Sequence, residues 1–378
     1  MDASAPGMSL ADDSAIISTR DVPAIKRLID DRRADGTDFA GVTTMGSDIP
    51  QVVAELASYL GTPSVSAQTA AWCTDKYAMK ERLRSQGIPV PEYCEVDSAL
   101  DLKRVAAEIG YPVVVKPVDR SGARGVFLAS DDSRLPEFFH AAKETSLAGR
   151  VMVEEFVPGL QISTETVMYE GQGITPGFAD RNYEFLERFA PRIIENGGWI
   201  PSILTPDQRA AVENLAVRAS RALGIETGIT KGDLVLSAQG PMVIEIAARL
   251  SGGDFSESLV PISSGVNYVA AAIQIAVGVK PDLAALIQPE TCAVANRYFF
   301  PGPGRLVRVS GLDEVRQQTW VKKLETWYEP GDHIPELGSH AERFGVFVVI
   351  GADRHEVDAR ARWVYETVHI ETQPAEND

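Results

Sequence analysis

The feature that most constrains the fold is a pair of apolar, strand-like runs that meet at a short turn. The runs are GDLVLS and PMVIEIAARL, and the turn is centred on Gln239. A connection this short joins antiparallel neighbours, so the sequence predicts a β-hairpin. Asp233 and Glu245 are equally far from Gln239 and should face each other across it. Facing carboxylates repel, which favours a bound cation or a shared proton; an exposed pair on a solvated face is the alternative.

A second constraint is Lys116, at the centre of the apolar run YPVVVKPV. A buried ammonium is costly unless an anion or several acceptors contact it. The segment SGARG follows, and Gly122 and Gly125 allow its backbone to approach a ligand closely. The combination predicts a phosphate-binding strand and loop. A lysine that extends to water, or that pairs with a carboxylate, is the alternative.

Composition limits the classes of partner. There are 36 Lys and Arg against 53 Asp and Glu, a net charge of -17 that disfavours nucleic acid. The three scattered cysteines are typical of reduced thiols in a cytoplasmic protein. The longest apolar run, Tyr268 to Val279, is too short to span a bilayer. We therefore expect a cytoplasmic protein without a membrane partner.

The chain is too long for one core, and its first part alternates strand-like and helical patterns. SAIIST and FAGVTT predict strands, whereas VPAIKRLIDDRRADG and IPQVVAELASYLG predict helices. This alternation is typical of a parallel sheet with helical crossovers, of which only a part is expected here. Further along, TPDQRAAVENLAVRASRALG predicts a helix that Thr205 caps and Gln208 closes as a capping box.

Five segments, in this order, resemble the ATP-grasp superfamily, and most closely its carboxylate–amine ligase and biotin-carboxylase-like branch. The segments are DKYAMKERLRSQGIPVPEY, YPVVVKPVDRSGARGV, VMVEEFVPGLQISTE, GDLVL and VIEIAARLSGG. The resemblance extends from about Asp75 to Gly253. Each motif alone is moderately specific, but five in sequence are strongly specific for the fold and for ATP.

The resemblance implies an α/β (α+β) ATP-grasp fold with a partial N-terminal parallel α/β domain, a lid subdomain and a catalytic antiparallel-sheet subdomain. The expected divisions are the N-terminal domain (1–74), linking helices (75–110), the lid (111–170), the catalytic subdomain (171–300) and a C-terminal subdomain (301–378). Relatives usually begin with a complete strand–helix–strand unit, which is not found at the start of this sequence.

The resemblance also implies a role for each matching residue. Binding of the ATP phosphates is implied for Lys76, Lys116 and the loop residues Ser121, Gly122 and Gly125. Glu154 would face the adenine amino group, and the backbone of Glu155 and Val157 would hold the ring edge. Magnesium, with manganese as the alternative, is implied at Asp233 and Glu245. Arg249, together with Lys116, would stabilise the transferring phosphate. Candidates for substrate binding are Arg181, Arg192, Trp199, Ser251, Gly252 and Gly253.

Two residues depart from the family pattern. Gln161 replaces the glutamate that many relatives use to bind ribose, so we expect a weaker contact there. Ala247 replaces a metal-binding asparagine, which puts the coordination of a second magnesium in doubt; water, Asp254 or Glu257 could substitute.

The implied activity is that of an ATP-dependent ligase, which activates a carboxylate as an acyl phosphate and couples it to an amine. A carboxylase that uses bicarbonate is the alternative, and an inactive ATP-binding regulatory protein is the second. The implied partners are small-molecule carboxylate and amine substrates, and a homodimer is left open.

Overall fold

The protein chain builds three antiparallel sheets, seen in a computed structural model that describes residues 6–374. The α-helices are α1 (Val22–Ala34), α2 (Pro50–Leu60), α3 (Ala67–Thr74), α4 (Lys76–Ser85), α5 (Ala99–Ile109), α6 (Leu135–Thr145), α7 (Leu186–Phe189), α8 (Pro206–Ala222), α9 (Val260–Ser264), α10 (Tyr268–Ala276), α11 (Leu312–Arg316) and α12 (Arg354–Thr367). Single short turns of other helix types lie at Pro6–Ser9, Phe255–Leu259, Ala284–Leu286 and His340–Glu342.

The strands are β1 (Tyr93–Val96), β2 (Val113–Pro117), β3 (Phe127–Ala129), β4 (Val151–Glu155), β5 (Leu160–Tyr169), β6 (Gln172–Arg181), β7 (Gly198–Ile200), β8 (Gly228–Ser237), β9 (Gly240–Ala247), β10 (Ala293–Tyr298), β11 (Gly304–Ser310), β12 (Val321–Thr326), β13 (His333–Ile334), β14 (Gly345–Gly351) and β15 (His369–Gln373).

The four-stranded sheet lies where the lid is expected and is called the lid below; its order is β1-β4-β2-β3, with α5 and α6 packed on it. Its core includes Phe127 and Phe138, whose rings stack with centroids 4.7 Å apart. The sheet extends from Tyr93 to Glu155, so it begins and ends earlier than the expected division 111–170. β1 is included because its four residues pair with residues 151–154 of β4.

The large sheet has eight strands in the order β12-β14-β10-β7-β6-β5-β8-β9. The helices α8 and α10 pack on it and bury apolar residues such as Leu215 and Ala271. β12 and β14 come from the expected C-terminal subdomain, yet they continue the large sheet. The remaining C-terminal strands form the small sheet, in the order β13-β11-β15.

The helix α8 begins as its sequence predicts. Thr205 Oγ1 accepts a hydrogen bond from the Gln208 amide at 3.3 Å, and Gln208 Oε1 accepts one from the Thr205 amide at 3.0 Å. This capping box satisfies two amides that have no partner within the helix.

The N-terminal region differs from the expected parallel sheet. The two predicted helices form as α1 and α2, but SAIIST and FAGVTT are not strands. Ile16 is 66% exposed, and the described part of this region contains only one isolated bridge, between Met45 and Leu250. An extended segment needs a neighbouring strand for its backbone groups, and these segments lack one. Separately, no helix within residues 6–374 is both long and apolar enough to cross a membrane.

Candidate active site

A cavity of about 820 Å³ lies between the lid, the β8–β9 hairpin and the C-terminal strands. Most of the residues predicted from the sequence line it: Lys76, Lys116, Ser121, Gly122, Glu154, Glu155, Val157, Gln161, Arg181, Asp233, Glu245, Arg249, Ser251, Gly252 and Gly253. The hairpin and the lid strands, far apart in sequence, therefore meet around one space.

Lys116 is buried and pairs with a carboxylate from the neighbouring strand. Its Nζ lies 2.5 Å from Glu154 Oε1, and Lys80 Nζ lies 2.8 Å from Glu154 Oε2. Burial raises the pKa of Glu154, but the two lysines outweigh burial and hold that pKa below its usual value. The paired alternative for Lys116 is therefore observed. The Glu154 carboxylate, which the resemblance assigns to the adenine amino group, thus already has two ammonium partners.

Lys80 was missed in the sequence. It is fully buried on α4, one helical turn after Lys76, and burial lowers its pKa to about 8. The spacing of four residues places both lysines on one face of the helix, which is the signal that could have revealed it.

The hairpin places its two carboxylates as the sequence predicts. Asp233 and Glu245 are directly opposite each other in the register of β8 and β9. Arg181 Nη1 lies 2.6 Å from Asp233 Oδ1, and Lys231 contacts Asp233 Oδ2. Lys76 Nζ lies 3.0 Å from Glu245 Oε1. Burial raises the pKa of both carboxyls, but the neighbouring cations outweigh it and lower both pKa values, so both groups are ionised.

These residues fit one divalent ion. Two ionised carboxylates in register supply the hard oxygen ligands that Mg²⁺ prefers. Within residues 6–374 there is no group of three or more His, Cys, Asp or Glu that could hold a metal.

The glycine-rich loop has the backbone that its composition predicts. Gly122 and Gly125 have φ of +67° and +70°, where a side chain is disfavoured. A Cβ at Gly125 would also lie 2.9 Å from the Thr145 Cβ, so the loop approaches α6 closely there. Gly125 supports the loop without lining the cavity. At the loop tip, the Gly122 carbonyl accepts a hydrogen bond from the His340 amide at 3.0 Å.

The segment after the hairpin is fixed by two acids. Arg249 Nε lies 3.3 Å from Asp48 Oδ1, and the Ser251 amide donates to Glu165 Oε1 at 3.1 Å. Glu165 is fully buried on β5, and burial raises its pKa to about 7. Sequence analysis missed Glu165, which the alternation of β5 could have placed on the same face as its cavity-lining neighbour Ser163.

The three candidates for substrate binding between residues 180 and 200 have different surroundings. Arg181 lines the cavity and pairs with Glu195 and Asp233. Arg192 lies over the Phe127 ring, 4.3 Å from its centroid, and does not line the cavity. Trp199 also lies outside, because its indole donates to Asp358 Oδ1 at 2.6 Å.

Most of the C-terminal wall of the cavity was also missed. It consists of Tyr298, Lys323, Trp327, His340, Ala341 and Arg343. Arg343 lies 3.8 Å from the centroid of the Tyr298 ring, and Lys323 pairs with Asp254. These residues come from elements more than 40 positions beyond the hairpin, and no local motif marks them.

Comparisons with known proteins agree with this geometry. The family model for the carbamoyl-phosphate synthase L chain, ATP binding domain, matches residues 75–283. The model for the L-amino acid ligase C-terminal domain 2 matches residues 297–373. The first match covers more than half of the chain.

Three similar proteins show how far the likeness extends. An uncharacterized protein, y4rH, of Sinorhizobium fredii is 28% identical over 352 residues, covering 89% of this chain and 69% of that protein. A D-alanine–D-alanine ligase of Synechococcus is 32% identical over 234 residues, covering 58% of this chain and 69% of that enzyme. The crystal structure of an L-amino acid ligase from Bacillus licheniformis superposes with a TM-score of 0.81 at 23% identity, covering 94% of this chain and 86% of that one.

The fold, the cavity and these matches define an ATP-binding protein of the ATP-grasp superfamily, to which the chain belongs. Within it, the chain is a carboxylate–amine ligase, which uses ATP to activate a carboxylate as an acyl phosphate and form a carbon–nitrogen bond. The ATP-grasp fold and the ligase activity implied by the five sequence segments are thus confirmed.

Proposed function

We propose that this ligase joins two amino acids, activating the carboxylate of one and transferring it to the amino group of the other. The match of residues 297–373 to the C-terminal domain of L-amino acid ligases carries this proposal. That region supplies the C-terminal wall of the cavity that the hairpin carboxylates also line. An amino acid would therefore be held between the hairpin and this wall.

The charges of the wall support a zwitterionic substrate. Arg343 is cationic and lines the cavity, so it can attract a free carboxylate. Glu257 lines the same space and can attract an ammonium group, whereas Asp254 and Lys323 are paired with each other. Bicarbonate, the substrate in the carboxylase alternative, has no ammonium group to pair with Glu257.

The proposed nucleotide site uses the residues around the lid. Lys76 and Lys116 supply positive charge for the phosphates, and the loop 121–125 closes over them. The backbone of Glu155 and Val157 receives the adenine edge, and Gln161 contacts the ribose. In support of this proposal, these residues line the cavity or belong to the loop 121–125.

The proposed phosphoryl transfer uses the hairpin and the segment after it. Asp233 and Glu245 would hold Mg²⁺, which supplies positive charge to the phosphates when bound. Arg249 neutralises charge on the transferring group, and the backbone of Ser251, Gly252 and Gly253 binds the acyl group. The closed lid excludes water, which would otherwise hydrolyse the acyl phosphate.

The experiment is a phosphate-release screen with Mg²⁺, ATP and pairs of L-amino acids, with dipeptides identified by mass spectrometry. We expect release that requires both amino acids and a product whose mass is that of a dipeptide. A parallel assay with bicarbonate and no amine tests the carboxylase alternative. Release that depends on bicarbonate and not on amino acids would refute the proposal.

A matched pair of variants tests the hairpin. Glu245→Gln removes one charged ligand and should reduce phosphate release by about 100-fold or more. Glu226→Gln makes the same change at an exposed position just before β8 and should leave turnover unchanged. Full turnover in Glu245→Gln would show that the metal assignment is wrong.

A further inference from the structure

Two residues that face each other across β8 and β9 form a row of the sheet. The row next to the two hairpin carboxylates contains an unexpected cation. In the register of β8 and β9, Asp233 faces Glu245, and two residues earlier Lys231 faces Ala247. Ala247 is the position where a ligand for a second metal was expected from the family pattern. A lysine therefore lies opposite the position of the missing ligand.

Lys231 is surrounded on both sides by acidic groups. On β5, Glu165 is its direct partner in the register, and on its own strand Asp233 binds its Nζ. Its side chain is 15% exposed and lines the cavity beside Arg249. Arg181, on β6, pairs with the other carboxylate oxygen of Asp233, Oδ1. The Lys231 ammonium thus contacts one of the two hairpin carboxylates, and the residue lines the cavity.

A second divalent ion would lack ligands in this place. The methyl group of Ala247 offers no oxygen, and that residue is 1% exposed. Of the two acids that could substitute, Asp254 is paired with Lys323 of β12, and Glu257 lies on the separate helical turn Phe255–Leu259. The Lys231 ammonium would also repel a dication in this row, which has no pair of facing carboxylates like Asp233 and Glu245 to offset the repulsion.

We propose that Lys231 takes the place of a second divalent ion, so that this ligase binds its nucleotide with one metal instead of two. The lysine provides fixed positive charge to the phosphates from the row where an asparagine would otherwise coordinate metal. The proposal rests on the nucleotide role of the hairpin and is independent of which carboxylate and amine are joined.

The test is the ratio of metal to nucleotide bound by the whole chain. The protein is dialysed to equilibrium against Mn²⁺ and a non-hydrolysable ATP analogue, without amino acids, and both bound species are quantified. We expect one Mn²⁺ per bound nucleotide at saturation. A ratio of two would overturn the proposal. A ligase with other substrates would give the same ratio of metal to nucleotide. The result therefore tests the role of Lys231 separately from the assignment of amino acids as substrates.

Variants separate charge from folding. Lys231→Met should raise the dissociation constant of the nucleotide about tenfold or more, because one charge-assisted contact is lost. Lys231→Arg keeps the charge and should bind within a few-fold of the unchanged chain. The exposed Lys322→Met serves as the matched control. Unchanged nucleotide affinity in folded Lys231→Met, or equal loss in Lys231→Arg, would refute the role.

A gain of function completes the design. In the double variant Lys231→Met with Ala247→Asn, the ammonium is removed and an oxygen ligand is supplied. We expect the ratio to rise from one towards two and the nucleotide affinity to recover at high Mn²⁺. A ratio that stays at one in the folded double variant would contradict the view that Lys231 and the second ion use the same place.

Discussion

Replacing Glu165 by glutamine should remove a pH dependence of stability that the structure assigns to this one group. Glu165 is fully buried, and burial raises its pKa from 4.5 to about 7 in the folded chain. The folded state therefore binds the proton more tightly than the unfolded state. Its stabilising contribution is complete below pH 4.5 and is lost as the pH rises through 7.

The magnitude follows from the two pKa values. Their difference corresponds to about 3 kcal/mol in the free energy of unfolding, of which about 2.5 kcal/mol falls between pH 5 and pH 8.5. Glutamine has no proton to lose in this range, and its amide oxygen can still accept from the Ser251 amide. The glutamine variant should thus gain stability relative to the unchanged chain as the pH rises.

The assay is urea unfolding followed by tryptophan fluorescence at pH 5 and pH 8.5. The comparison is between the unchanged chain, Glu165→Gln and Glu226→Gln, whose glutamate is exposed. We expect the difference in unfolding free energy to change with pH only for Glu165→Gln. If both variants followed the unchanged chain in parallel across this range, Glu165 would be ionised in the folded state and the reasoning would fail.

Two further perturbations test the lid and its buried charges. Gly122→Ala should cost about 1–2 kcal/mol for its positive φ alone. Gly125→Ala should cost more stability than Gly122→Ala and should weaken nucleotide binding, because its Cβ would also meet Thr145. Thermal unfolding would measure the loss of stability, and calorimetric titration would measure the nucleotide affinity. Equal losses of stability in the two variants would contradict the close approach of the loop to Thr145. Glu154→Gln should destabilise the lid by about 3–5 kcal/mol, since it leaves the Lys80 ammonium buried without its counter-charge, and stability unchanged in chemical denaturation would contradict that pairing.

The sequence predicted those parts of the site that are local. Counting from Gln239 predicted that Asp233 faces Glu245, and the pair is observed; the turn itself pairs Ser237 with Gly240, and a register shift between Asp233 and Leu234 brings Glu245 opposite Asp233. Burial of Lys116 follows from its apolar neighbours. Such inferences need only strand periodicity and the cost of burying charge.

What the sequence could not predict depends on contacts between distant segments. The C-terminal wall, with Lys323 and Arg343, reaches the cavity only because β12 and β14 join the large sheet. The prediction of N-terminal strands was wrong because a distant contact is missing there. SAIIST has the composition of a strand, but the described part of the chain offers it no partner strand. Strand propensity depends on a neighbour that sequence pattern alone does not identify.

The two edges of the large sheet both reach the same cavity, and this has a consequence for its shape. β9 carries Glu245 and β12 carries Lys323, and seven strand spacings separate these edges, about 34 Å if the sheet were flat. Both side chains nevertheless line one cavity of about 820 Å³, so the sheet must be strongly curved around this cavity. A change in this curvature would alter the distance between the edge strands β9 and β12, even when no residue that lines the cavity is replaced.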